Sequence, residues 1–255
     1  MSAAVIEVSG VSKVYGRGAG RQLAVDDVSC TVARGETLGI VGESGSGKTT
    51  MARMLLRLTP PTAGQVTVEG IDVWHASRAD KRRLPRLIQA VFQDPYASLD
   101  PRMTIGKSIA EGARWAFGQK EAAGQVASLL ELVGLPVRYR KFYPHELSGG
   151  QRQRVAIARA LAMKPGILVA DEPVSALDVS MQGQILNLLI GLRKEFGLTC
   201  VFVSHDLGIV QQFCERVLVM ERGIIVEQGV PGEIFSRPAH PYTRSLVDAI
   251  PRIPQ

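Results

Sequence analysis

Gly42-Glu43-Ser44-Gly45-Ser46-Gly47-Lys48-Thr49 fits the spacing G-x-x-x-x-G-K-[ST], and this spacing suits phosphate. Its glycines permit backbone angles that turn consecutive N–H groups inward toward anionic oxygens. A helix opening at the end of the loop adds a partially positive N-terminus. Lys48 would neutralise the β- and γ-phosphates of a nucleotide and Thr49 would place its hydroxyl on Mg²⁺, with Thr50 counted in the same nucleotide-binding run. A second feature lies far downstream. Ile167-Leu168-Val169-Ala170 is an apolar run that ends in Asp171-Glu172. Alone, such a run reads equally as a strand and a turn. Beside a phosphate loop, Asp171 is expected to hold Mg²⁺ through water and Glu172 to polarise an attacking water.

These residues need a scaffold, and the periodicities supply one. Thr37–Val41 reads as a buried strand running into the loop, and Thr50–Leu58 as the helix leaving it. Gln65–Glu69 and Ile88–Phe92 read as further strands, as do Ile167–Ala170 and Thr199–Val203. Between the last two, Ile185, Leu188, Leu189, Leu192 and Phe196 fall on one face of a helix. Strands alternating with helices imply a mostly parallel sheet covered on both faces, which would bring Asp171 to the crevice that holds the phosphate loop. Residues 104–163 are mostly helical in pattern and read as an inserted lobe. The alternation over about residues 5–32 predicts an antiparallel lobe completed by 65–73.

Composition restricts the class. The chain has 255 residues, 45% of them hydrophobic, enough for one sizeable core. The net charge of +6 comes from scattered Lys and Arg, densest at Lys81-Arg82-Arg83 with Arg78 and Arg86, a pattern that reads as a solvated helix face. No stretch approaches the roughly 20 apolar residues of a membrane span, and the N-terminus lacks the pattern of a signal peptide. The protein is therefore expected in the cytosol, with any membrane role requiring partners. Cys30, Cys200 and Cys214 match no metal spacing and read as reduced thiols.

Leu147-Ser148-Gly149-Gly150-Gln151, continuing through Arg152-Gln153-Arg154 to Leu161, resembles the signature motif of ABC ATPases, about 20 residues ahead of the Asp-Glu pair. The resemblance spans about residues 5–250. It implies a P-loop NTPase (RecA-like) α/β fold with a mostly parallel sheet, an N-terminal antiparallel β lobe and an α-helical lobe at about 95–163, followed by a short tail, 251–255. It also implies roles. Ser148, Gly149, Gly150 and Gln151 would cover, in trans, the nucleotide held by a second ATPase subunit. Gln93 would reach Mg²⁺ and the attacking water, and His205 would contact the γ-phosphate. Ser175-Ala176-Leu177-Asp178 resembles a loop that communicates across the dimer, and Tyr15 stands where the family stacks an aromatic ring on adenine. ATP and Mg²⁺ are the implied ligands. Catalysis would rest on Glu172, His205, Gln93 and Lys48, with Thr49, Gln93 and Asp171 on the metal.

Two segments resemble a narrower group, the ATPases of oligopeptide, dipeptide and nickel importers: Val91 through Met103, and Arg237-Pro238-Ala239-His240-Pro241-Tyr242-Thr243-Arg244-Ser245-Leu246. That resemblance implies two ATPases, identical or paralogous, beneath two permease subunits on the cytoplasmic face of the inner membrane. An extracytoplasmic binding protein would deliver the solute. No cysteine follows Cys214, so an iron–sulfur cluster is not expected. The competing reading is an ABC-type ATPase of a soluble complex, such as a phosphonate-degradation assembly or a nucleic-acid-associated machine. The single cassette without sustained heptads or cysteine pairs argues against nucleic acid as a partner.

Overall fold

The computed structural model describes residues 3–16 and 18–249. The chain forms two compact units, one made of the residues up to Lys81 and from Thr199 onward, the other Arg82–Leu198. The first unit begins with strands β1 (Ala4–Tyr15), β2 (Gln22–Ala33) and β3 (Thr37–Val41), helix α1 (Lys48–Leu55), and strands β4 (Ala63–Val68) and β5 (Ile71–Asp72). Helix α2 (Arg78–Leu87) follows, its charged cluster exposed as the sequence implies. The second unit holds β6 (Ile88–Val91), α3 (Pro95–Ser98), α4 (Ile105–Phe117), α5 (Gln119–Leu132), α6 (Gly149–Leu161), β7 (Ile167–Asp171) and α7 (Val179–Phe196). The first unit then resumes with β8 (Thr199–Val203), α8 (Leu207–Phe213), β9 (Arg216–Glu221), β10 (Ile224–Gly229), α9 (Pro231–Ser236) and α10 (Pro241–Asp248).

Within the first unit, β3 is buried along its whole length because it lies between two parallel neighbours. Leu38 pairs with Val201 of β8 on one side and with Arg216 of β9 on the other. A strand covered in this way needs residues without charge on both faces, hence the buried Leu38, Ile40 and Val41 around Gly39. Strand β10 returns antiparallel to β9. A separate antiparallel sheet runs in the order β2-β1-β4-β5, with Ile6 opposite both Val32 and Val68. Its burial alternates only in part: Ile6 and Val8 keep the period of two, but register shifts leave Val5 and Ile6 both buried and space Val8 from Val11 by three.

The second unit contains the parallel pair β6–β7, in register from Ile88–Ile167 to Val91–Ala170. Helix α7 starts where the Asp178 carboxylate accepts from the Met181 N–H and stops at Gly197 in the left-handed region. This unit extends beyond the 95–163 lobe on both sides. The expected tail, 251–255, lies outside the described residues.

Several boundaries differ from the sequence reading. Helix α1 begins at Lys48, not Thr50, because Gly47 takes the last left-handed step of the loop (φ 108°). It ends at Leu55, not Leu58, because Arg57 turns left-handed and the Leu58 N–H folds back to the Arg53 carbonyl. Strand β4 stops at Val68 because Glu69 and Gly70 form a turn of positive φ. Phe196, placed on the apolar face of α7, is half exposed at the helix end, while Ile185, Leu189 and Leu192 are buried. The thiols of Cys200 and Cys214 are buried, and that of Cys30 is pushed up to about 11 by burial, with the nearby Arg216 acting in the opposite direction.

Candidate functional site

Strand β3 delivers the loop and α1 receives it. Gly42 leaves the strand at φ 151° and Gly47 enters the helix, and neither position has room for a side chain. A Cβ on Gly42 would come within 2.2 Å of the Met220 carbonyl oxygen, and one on Gly47 within 2.4 Å of that of Ala24. Gly45, at the top of the loop, has φ 82° and open space where its side chain would be. The result is a backbone cradle whose rim, Glu43 to Gly45, is exposed and whose base, Ser46 and Lys48, is buried. Lys48 is only 5% exposed, and its Nζ donates to the carbonyl oxygens of Gly42 and Glu43, 2.7 Å each. A buried ammonium needs such partners. These same donors are the ones a phosphate would engage. Thr49 and Thr50 lie on the first turn of α1, half buried.

Two more candidates belong to the same unit. Tyr15 ends β1 with its ring 37% exposed and the Lys13 ammonium 5.0 Å from the ring centroid. A partly exposed aromatic ring of this kind is suited to stack on a flat base. His205 is exposed just beyond β8, where Ser204 Oγ accepts from the Asp206 N–H and Asp206 caps α8 by accepting from the Ile209 N–H. The tight turn thus presents His205 at the carboxyl end of a buried parallel strand, the end at which α/β sheets place their ligands.

The remaining candidates lie in the second unit. Asp171 is the buried last residue of β7, and Glu172, half buried, follows in the left-handed region at φ 48°. The turn is closed by the hydroxyl and N–H of Ser175, both donating to the Glu172 carbonyl. Gln93 is exposed two residues past β6. Ser148 caps α6 reciprocally with Gln151: Ser148 Oγ accepts from the Gln151 N–H, and Gln151 Oε1 accepts from the Ser148 N–H. Gly149 and Gly150 open the helix, where first-turn N–H groups have no partner within the helix. A Cβ on Gly150 would displace the end of the Met181 side chain of α7, and one on Gly149 would make only ordinary contact with Leu177.

One feature of this unit was not legible beforehand. Helix α6 grips the segment around Gln93. Gln153 Nε2 donates to the Phe92 carbonyl at 3.4 Å, Arg152 lies 5.2 Å from the Tyr96 ring centroid, and Arg159 donates to the Ser98 carbonyl. A second unforeseen contact lies in the first unit, where the Glu43 N–H donates to Tyr242 Oη at 2.8 Å across 199 residues of sequence.

The sequence model of the family described as ABC transporter matches residues 25–175. The chain belongs to the ABC transporter family. The matched span contains the phosphate loop, Gln93, Ser148–Gln151 and the Asp171–Glu172 pair, and it omits Tyr15 and His205. A second model, described as the C-terminal region of oligopeptide/dipeptide transporters, matches residues 226–255 of this ABC cassette. A protein of Brucella ovis named for peptide import and ATP binding is 49% identical over 249 residues, covering 97% of the cassette and 78% of the relative. One of Brucella abortus with the same kind of name is 51% identical over 232 residues, 90% and 70% of the two chains. Among solved structures, a dimeric post-hydrolysis state of an ATP-binding cassette with ADP and Pi is 32% identical, at TM-score 0.79 over 89% of this chain and 98% of that one. CbiO1 of Clostridium perfringens, part of an ABC transporter complex, is 30% identical, at TM-score 0.80 over 92% and 91%. The cassette has the P-loop α/β fold of this family and is an ATPase subunit. No helix among the described residues is long and apolar enough to cross a membrane.

Proposed function

We propose that this chain binds Mg-ATP at the Gly42–Thr50 loop and hydrolyses it to power a peptide importer whose membrane-spanning subunits are separate chains. The observation that carries this reading is one chain holding both an intact phosphate cradle with Lys48 buried at its base and the oligopeptide/dipeptide C-terminal region. Peptides are favoured as solute by the names of the Brucella relatives, with nickel or a related small solute next.

Tyr15 stacks on adenine, and Lys48 and the loop N–H groups neutralise the β- and γ-phosphates. Glu172 polarises the attacking water, while Gln93 and His205 stabilise the charge that spreads over the γ-phosphoryl oxygens. Only glycine fits at Gly42 and Gly47, where a Cβ would meet backbone, and the open space at Gly45 leaves the crest of the loop accessible to phosphate; the oxygens of Thr49, Gln93 and Asp171 are hard donors suited to Mg²⁺. When bound, the ion would neutralise phosphate charge. Ser148, Gly149, Gly150 and Gln151 act in trans on the nucleotide of a second ATPase subunit, a reading favoured by the dimeric cassette at 32% identity. The other partners are two permease subunits at the cytoplasmic face of the inner membrane, and a solute-binding protein acting through them.

Tagged chain purified from native membranes in mild detergent tests this reading. Two polytopic permeases and a second ATPase in the same complex, with ATP turnover, are expected. Soluble enzymes without any membrane protein would leave the ATPase standing and overturn transport as its purpose.

A further inference from the structure

The chain after β9 meets the phosphate loop at two points. The Gly223 N–H, in the turn between β9 and β10, donates to the Ser46 carbonyl at 2.9 Å, and the Glu43 N–H donates to Tyr242 Oη at 2.8 Å. Ser44 and Gly45, the exposed crest, lie between these two anchor points.

The second contact acts on an informative peptide group. Gly42 and Glu43 share one planar unit, so its C=O and N–H point in opposite directions. Lys48 Nζ donates to that C=O, and Tyr242 receives the N–H. The plane is therefore held on both sides. Once phosphate is present, Lys48 must divide its three donors between backbone carbonyls and phosphate oxygens, whereas the Tyr242 hydroxyl on the Glu43 N–H leaves Lys48 and the later loop N–H groups to the phosphate. Burial pushes the Tyr242 hydroxyl above its ordinary value against the lowering pull of the Glu43 N–H, and the Glu43 and Glu221 carboxylates add to the rise, so it stays neutral at physiological pH.

Tyr242 is itself fixed in place. Its N–H donates to Nδ1 of His240, which caps α10, and Pro241 supplies the first helical residue with its φ preset. Both oxygens of Glu227, on β10, accept backbone N–H groups, from Ala239 at 2.9 Å and His240 at 3.1 Å. Hydrogen bonds to this carboxylate outweigh the upward push of burial and hold it below the usual range. Strand β10 thus seats the start of α10, and α10 seats the tyrosine.

We infer that Tyr242 is a positioning residue for ATP binding, by which the C-terminal region presets the Gly42–Glu43 peptide of the phosphate loop before nucleotide arrives. The inference rests on the ATPase reading above. A tyrosine in this role lowers the cost of ordering the loop around phosphate, so its loss weakens binding without slowing the chemical step.

The test compares wild type with Tyr242→Phe, which removes only the hydroxyl, in steady-state ATP turnover by the purified protein. KM is expected to rise about fivefold, the worth of one neutral hydrogen bond, with kcat unchanged. Amide exchange at Glu43 should quicken in the nucleotide-free variant and return to the wild-type rate when ATP is added. Glu227→Gln, which weakens the seat of α10 from its other end, should shift KM the same way. An unchanged KM with unchanged Glu43 exchange would overturn the inference, as would a fall in kcat and melting temperature at constant KM, the mark of a purely structural residue. A wild type that binds ATP without turnover would instead sink the hydrolytic reading; the same comparison, made on the dissociation constant of ATP, would still decide the role of Tyr242.

Discussion

Gln153 Nε2 donates to the carbonyl oxygen of Phe92, so the helix that opens at Ser148 holds the backbone next to Gln93. Gln153 is 1% exposed, and removing a buried donor leaves the carbonyl to find another partner or go without. Gln153→Leu keeps the bulk and deletes the bond. It should lower the stability of the protein by about 1–3 kcal/mol and reduce kcat more than it raises KM. Melting curves and ATP turnover check this together; a variant with wild-type kcat would show that Gln93 does not depend on α6.

Lys48→Ala removes the buried ammonium that satisfies the Gly42 and Glu43 carbonyls. ATP affinity should fall at least tenfold, since charge-assisted bonds are worth about 1.5–3 kcal/mol. Titration calorimetry with ATP measures it directly, and an affinity equal to wild type would count against the cradle.

Glu172→Gln should retain nucleotide binding and lose turnover, because the amide keeps the shape of the side chain and loses its basicity. An ATP-bound dimer should then accumulate in size-exclusion runs. Faster hydrolysis than wild type would refute the assigned role.

Two glycines of the loop should respond very differently to alanine. At Gly42 a Cβ would stand 2.2 Å from the Met220 carbonyl, so Gly42→Ala should displace the strand end and abolish ATP binding. At Gly45 nothing lies within 4 Å, so Gly45→Ala pays only the left-handed backbone, about 1–2 kcal/mol. Comparable losses in the two variants would contradict this geometry.

Asp72 caps the turn after β5. Its Oδ1 accepts the Trp74 and His75 N–H groups and its Oδ2 the Gln65 side chain, bonds that outweigh burial and lower its pKa to about 2. A depressed carboxylate contributes stability above its unfolded pKa of about 4 and loses it as the pH falls through the folded value. The contribution from Asp72 should therefore vanish between about pH 4 and pH 2 and be absent at every pH in Asp72→Ala. Melting curves of both proteins across that range measure it.

The elements around the site were legible because burial writes itself as periodicity. The strand Thr37–Val41 has the bounds its apolar run predicts, and so does Thr199–Val203, since each is buried along its whole length. Helix ends were less legible. The stop at Leu55 depends on Arg57 adopting positive φ, which no residue-type preference announces. The phosphate loop could be read from spacing alone, because glycine and lysine there answer to local geometry. Gln153 and Tyr242 could not. Each owes its role to a backbone group distant in the chain, Phe92 in one case and Glu43 in the other, and only the fold brings them together. The segment around His240-Pro241-Tyr242 did stand out as a group resemblance, but its partner in the loop was not readable.

Glu172 occupies the left-handed region at φ 48°, where a side chain with a Cβ is at a disadvantage of about 1–2 kcal/mol relative to glycine. With the catalytic role proposed for Glu172, the position faces two opposed selection pressures. A mutant library sorted only for folded protein should drift there toward Gly and Asn, which tolerate this backbone at lower cost. The same library sorted for ATP turnover should return Glu alone, and the difference between the two outcomes would record how much robustness this chain gives up for its chemistry.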